Sequence, residues 1–158
     1  MEDFAIHALR VGEGELALSP MPGRAGDYPA DLARILDWLP ALVITMTMGA
    51  ELDRSGAATF GDDLRAQGTQ WRHCPVVDFG VDTGLDWPPL RDEALGILAR
   101  GGRVLTHCYG GCGRSGMMAL RLMIAAGEGA DAALTRLRAL RPCAVETPAQ
   151  LDWALAGW

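Results

Sequence analysis

His107-Cys108-Tyr109-Gly110-Gly111-Cys112-Gly113-Arg114-Ser115 brackets five mostly small residues between a cysteine and an arginine. Upstream, Arg103-Val104-Leu105-Thr106 is short and apolar-rich, suited to a buried strand. Downstream, residues 116–126 are rich in helix formers and reach a terminator at Gly127. A strand feeding a glycine-rich loop that opens a helix aims successive backbone N–H groups and the positive helix end at one point. The stretch therefore reads as an anion trap suited to phosphate.

The same field favours thiolate over thiol at Cys108, because a helix N-terminus and a nearby cation both stabilise the charged form. Arg114 supplies a planar fork that donates two parallel hydrogen bonds to phosphoryl oxygens. Gly110, Gly111 and Gly113 let the backbone curl around an anion, with Tyr109 and Cys112 contributing further amides.

Composition narrows the alternatives. The chain has 158 residues and no linker, so one domain, 1–158, is expected, long enough to bury about 68–70% of its unfolded surface. No apolar run approaches the roughly 20 residues of a membrane span, and Met1-Glu2-Asp3-Phe4 lacks a basic secretory start, so a cytoplasmic protein is expected. All fourteen basic residues are arginine, which removes lysine Schiff-base chemistry and the lysine-dependent nucleotide loop. The Ala, Gly and Arg bias suggests a GC-rich bacterial source. A net charge of −6 argues against nucleic-acid and anionic-membrane partners. Cys74, Cys108, Cys112 and Cys143 show neither Cys-x-x-Cys pairing nor secretory context and are expected to be reduced thiols. A zinc site on His107, Cys108 and Cys112 lacks a second ligand pair, and no metal is expected.

Around the central stretch, Glu15 to Leu18 predicts a short strand followed by a turn at Pro20-Met21-Pro22-Gly23. Pro29 opens a packing helix over Ala30 to Leu39, and Ala41 to Met46 predicts a buried strand. A short helix is expected around Phe60 to Arg65, then a strand from Trp71 to Val77. Trp87-Pro88-Pro89 opens a helix over Leu90 to Arg100 that Gly101-Gly102 closes. Asp131 to Leu140 is a further helix ended by Arg141-Pro142, and Thr147-Pro148 starts a last one running toward Trp158. Strands alternating with helices imply an α/β domain, with a central, mostly parallel sheet of four or five strands flanked by helices.

His107-Cys108, five residues, Arg114 and Ser115 together resemble the Cys-x5-Arg signature of the cysteine-dependent protein tyrosine and dual-specificity phosphatases. The longer run looks most like the kinase-associated branch, which dephosphorylates cyclin-dependent kinases in animals. Leu16 to Gly23 resembles that branch's entry segment, Pro75 to Gly80 its acid loop, and Arg141-Pro142 with Ala144 to Gln150 its closing segment. A bacterial source does not carry over the cyclin-dependent kinase as substrate.

The resemblance implies a tyrosine-phosphatase-like fold and roles for several residues. Ser115 would hydrogen-bond the Cys108 sulfur, although a helix cap is an equal reading in isolation. His107 would order the loop, and Gln150 would line the site near the hydrolytic water, with a surface glutamine as the alternative. A leaving oxygen needs a proton, which a carboxylic acid on a mobile loop can deliver. Alignment by resemblance chooses Asp78, directly after the Pro-Val-Val run. Asp82 stands where the relative has proline, and Asp86 is the third candidate. Cys112 is a small side chain that fits the loop. Alternatively, it could capture oxidised Cys108 as a disulfide, as Cys74 or Cys143 could.

The expected function is hydrolysis of phosphate monoesters, as phosphotyrosine or phosphoserine and phosphothreonine proteins or small phosphoesters, without cofactor. A noncatalytic phosphate-binding module and a rhodanese-type sulfurtransferase are the alternatives.

Overall fold

The computed structural model describes residues 3–156. In chain order it runs β1 (His7–Val11), β2 (Gly14–Ser19), α1 (Tyr28–Trp38), β3 (Leu42–Thr45), α2 (Gly49–Arg54), α3 (Phe60–Ala66), β4 (Gln70–His73), α4 (Trp87–Ala99), β5 (Arg103–His107), α5 (Gly113–Ala125), α6 (Ala130–Leu140) and α7 (Pro148–Leu155). The five strands form one sheet in the order β1-β2-β5-β3-β4, antiparallel only between β1 and β2. The α/β class and the mostly parallel, helix-flanked sheet are those the sequence implies.

Alternation along each strand divides the core between two faces. Leu16, Leu18, Leu42, Ile44 and Val104 pack against Leu90, Ala94 and Leu98 of α4, Met117 and Leu120 of α5, and Leu137 of α6. Ala17, Val43 and Leu105 point the other way, toward Ile35, Leu52, Phe60 and Leu64 of α1, α2 and α3. Because strands covered on both faces bury every side chain, β3 reads as an uninterrupted apolar run capped by Thr45.

Topology then places the cysteine. β5 enters between β2 and β3, and its last residue, His107, lies level with Ser19 and Thr45 at the strands' carboxyl ends. Ligands of open parallel sheets bind beyond that edge.

Several expectations shift. The strand proposed for Trp71 to Val77 ends at His73; Pro75 has no N–H to donate, and only the amides of Cys74 and Val76 still reach Thr45 O and Met46 O, at 2.8 and 3.2 Å. The helix expected from residue 116 begins at Gly113, so Arg114 and Ser115 lie in its first turn. Edge strand β1 and the six-residue α2 had no anticipated counterpart. The last helix is described to Leu155, and its proposed end at Trp158 lies outside the described residues.

Candidate active site

Leaving β5, the chain turns through residues 108–112 before α5 begins, with Cys108 only 3% exposed. Gly111 has φ +73°, and a Cβ there would sit 2.8 Å from the backbone of Ser19 and Pro20. A side chain is thus excluded twice, by conformation and by space. A Cβ on Gly113 would likewise meet the Gln150 amide at 2.8 Å and the Glu146 carboxylate.

The loop's carbonyls are tied down from outside. Tyr109 O accepts from the Met21 amide at 2.9 Å. Arg141 donates from Nη2 to Gly110 O at 2.9 Å and from Nε to Gly111 O at 3.2 Å. Cys112 O accepts from the amides of Gly116 and Val145 at 2.9 and 3.1 Å. Across a trans peptide the N–H points opposite to the C=O, so the following amides turn toward the loop interior. The amides of Gly110, Gly111, Cys112 and Gly113 thereby form a cradle of converging donors.

Ser115 Oγ lies 3.1 Å from Cys108 Sγ. The residue capping α5 is Cys112, so the reading of Ser115 as helix cap is replaced by its contact with the thiol.

Arg114 is 1% exposed and held on three sides. Its Nη1 and Nη2 donate to the two oxygens of Glu51, each at 2.8 Å, and Nη1 also donates to Val76 O at 2.8 Å. Nη2 comes within 3.3 Å of Asp78 Oδ1. Its Nε is buried with no partner among the described residues. Burial opposes ionisation of Glu51, but hydrogen bonds from Arg114 and the Met48 amide, with the charges of Arg114 and Arg54, outweigh it and hold the carboxyl below the ordinary carboxylate range. Glu51 escaped the sequence reading because α2 begins at glycine behind Met48, without the Ser, Thr, Asp or Asn that marks a helix start.

Of the three acid candidates, Asp78 is the one set against Arg114, with its side chain half exposed. Its carboxylate accepts from the Phe79 amide at 3.0 Å, and Phe79 adopts φ +64° and is 59% exposed. Asp82 is exposed, with no hydrogen bond or ion pair to any described residue, and exposed Asp86 precedes α4. Gln150 is fully buried rather than on the surface. Its Oε1 accepts from the amides of Glu146 and Thr147, at 2.9 and 3.2 Å, while Nε2 reaches Gly80 O of the acid loop at 3.5 Å.

His107 is buried beneath the loop, edge-on to Phe60. Burial, aided by the Arg114 charge and opposed by the Cys108 carbonyl, pushes its pKa down to about 4, so the ring is neutral near pH 7. Trp71 Nε1 donates to Thr45 Oγ1 at 2.7 Å, and Thr45 Oγ1 lies 2.7 Å from His107 Nε2. With Nδ1 protonated and donating to Cys108 O at 3.2 Å, the series orders the ring under Cys108.

The cysteines need correction. Cys112 and Cys143 form a disulfide, Cα atoms 5.1 Å apart, so only Cys74 and Cys108 are free thiols. Two of the four are therefore not reduced, and Cys112 is not available to capture Cys108 or to ligate zinc. Burial raises the Cys74 thiol to about 11, which keeps it unreactive. What brings Cys143 to the loop is the connection between α6 and α7, which Arg141 clamps to Gly110 and Gly111. Among the described residues no three His, Cys, Asp or Glu side chains are placed to hold a metal ion.

No family model and no curated protein matches the sequence. The fold does have solved counterparts. Kinase associated phosphatase, with its catalytic cysteine substituted by serine, superposes with a TM-score of 0.84 at 21% identity, covering 98% of this chain and 93% of that one. The active form of Tk-PTP gives 0.73 at 28%, covering 93% and 92%. PTPMT1 in complex with PI(5)P gives 0.67 at 19%, covering 94% and 92%. The structural neighbours are thus dual-specificity and tyrosine phosphatases, and this chain has their fold.

Proposed function

We propose that the protein is a cysteine-dependent phosphatase that hydrolyses phosphate monoesters, on phosphorylated proteins or small phosphoesters, through a cysteinyl-phosphate intermediate. The observation carrying this reading is the surroundings of Cys108. Its sulfur lies 3.1 Å from Ser115 Oγ at the base of an amide cradle, beside a buried Arg114 whose Nε has no partner among the described residues. A buried, unsatisfied donor costs about 1–3 kcal/mol, and a phosphoryl oxygen supplies the missing acceptor.

In the first step Cys108 Sγ forms a bond to phosphorus as the ester P–O bond breaks, and Asp78 gives its proton to the leaving oxygen. In the second, Asp78 takes a proton from water, whose oxygen bonds to phosphorus as the P–S bond breaks. Ser115 donates to the departing thiolate, while Arg114 and the amides hold the equatorial oxygens in both steps. Phosphate binding competes with Asp78 for Arg114 Nη2. These steps need neither a metal nor an organic cofactor.

Hydrolysis of an aryl phosphate by purified protein tests the reading. Cys108→Ser abolishes turnover, and Asp78→Ala lowers it on the order of 10²–10⁴-fold, the usual contribution of general acid catalysis. Asp82→Ala changes it little; a loss carried by Asp82 instead moves the acid. Wild-type protein that binds vanadate or phosphate but turns nothing over refutes the assignment.

A further inference from the structure

Arg24 belongs to no step above, yet it lies at the edge of the phosphate cradle. The turn from Met21 to Arg24 sets it there: the Arg24 amide donates to Met21 O at 3.2 Å, and Gly23 has φ +86° with its amide on buried Asp31 at 2.8 Å. From that anchored turn, the guanidinium stacks over Tyr109 with Cζ 4.8 Å from the ring centroid. A methyl built on Gly110 would stand 3.7 Å from Arg24 Nη1. The cation therefore borders the loop at Tyr109 and Gly110.

Three features argue that this placement serves something besides the loop. Arg24 donates from Nη1 to Tyr109 O at 3.5 Å, but the Met21 amide already satisfies that carbonyl at 2.9 Å. No carboxylate pairs with Arg24 among the described residues, whereas the Arg114 charge is matched by Glu51 and Asp78. Its Nε is buried without a partner among the described residues. A guanidinium has five N–H donors in a fixed fork, and here one long bond uses one of them. What suits the remainder is a planar or tetrahedral oxyanion. The chain's net charge of −6 makes this a local attraction rather than a general pull on polyanions.

We propose that Arg24 is a specificity residue that binds a second anionic oxygen group, carboxylate or phosphoryl, on the phosphomonoester held over Cys108. This rests on the phosphatase reading and narrows its substrate class to phosphoesters that carry a second anionic group.

The test uses phenyl phosphates bearing a carboxylate at the ortho, meta or para position, each matched to its neutral carboxamide, and the corresponding phenylene bisphosphates matched to the monophosphates. For each pair the ratio of kcat/KM is measured in wild type, Arg24→Ala and Arg24→Lys. In parallel, the ratio of Kd is measured by calorimetry with Cys108→Ser and Cys108→Ser/Arg24→Ala, which needs no turnover. At least one ester with a second anionic group is preferred over its matched control by roughly 3- to 10-fold, between an exposed ion pair and a charge-assisted hydrogen bond; Arg24→Ala removes that preference and Arg24→Lys keeps part of it. The carboxylate and bisphosphate arms identify which oxyanion is read. No preference in any pair, or one that survives Arg24→Ala while both esters weaken equally, overturns the proposal and leaves Arg24 as a loop brace. A preference in the calorimetric arm with no turnover by wild type overturns the phosphatase reading and leaves the Arg24 site standing.

Discussion

Exchanging Glu51 for glutamine removes one charge from the most enclosed ion pair of the site. Arg114 is 1% exposed and the Glu51 side chain 9%, joined by two bonds of 2.8 Å. Glutamine keeps one oxygen but turns an NH2 group against a guanidinium N–H. Removing one partner of a buried pair costs about 3–5 kcal/mol, because the other charge stays desolvated. Asp78, 3.3 Å from Nη2, takes up part of that charge, so a loss near the lower limit, about 3 kcal/mol, is expected in urea denaturation with an unchanged m-value.

Turnover of an aryl phosphate should fall on the order of 10²–10³-fold, as when a preorganised donor is lost, because Arg114 is no longer turned to present Nε. The pair Glu51→Leu with Arg114→Met separates the two consequences. With both charges gone, stability returns toward wild type while activity stays lost. Because the Glu51 carboxyl is held below its ordinary range, its stabilisation is present at neutral pH and is lost progressively as pH falls below that range toward the lowered folded value. Glu51→Gln protein that unfolds within about 0.5 kcal/mol of wild type and keeps its turnover refutes the assignment of Glu51 as the residue that orients Arg114.

Two further expectations concern the groups under and behind the loop. His107 binds a proton near pH 6.5 when unfolded but only near 4 when folded, so stability is whole above pH 6.5 and is lost as pH falls toward 4. Between pH 7 and 4.5, wild type should lose on the order of 2–3 kcal/mol more than His107→Gln; parallel curves would count against the buried neutral ring. The Cys112–Cys143 bond closes a separation of 31 residues, so reducing it should cost about 3–4 kcal/mol of unfolding free energy. Thiol titration of denatured, unreduced protein should find two thiols, Cys74 and Cys108, and a titre of four would show the bond absent.

Legibility followed how locally each feature is determined. The cradle was readable because an amide cage needs glycines at set positions, and Gly111 indeed lies where neither backbone conformation nor space admits a side chain. Strands β2, β3 and β5 were readable because both of their faces are covered. β1 was not: His7, Ala8 and Arg10 lie on a half-covered edge, and their polarity matches neither a buried run nor a clean alternation. The pairing of Cys112 with Cys143 depends on where the turn after α6 comes to rest, and no spacing rule reports that. Neither does any local pattern join Glu51 to Arg114, which are 63 positions apart.

Parallel register nevertheless makes such contacts searchable. Ser19, Thr45, His73 and His107 end their strands at one level, Thr45 pairing with both His73 and His107. The segment after each strand therefore arrives at the same edge of the sheet. After β2 comes Arg24, after β3 Glu51, after β4 Asp78, and after β5 Cys108 and Arg114, each within seven residues of the strand end before it. Once four parallel strands are recognised, the charged residues just beyond their carboxyl ends form a short set. Glu51 belongs to that set although its helix is invisible to capping rules, and so does Arg24. The strand ends bring the charges to one edge, and the outward-tied carbonyls of the loop turn its amides toward that edge.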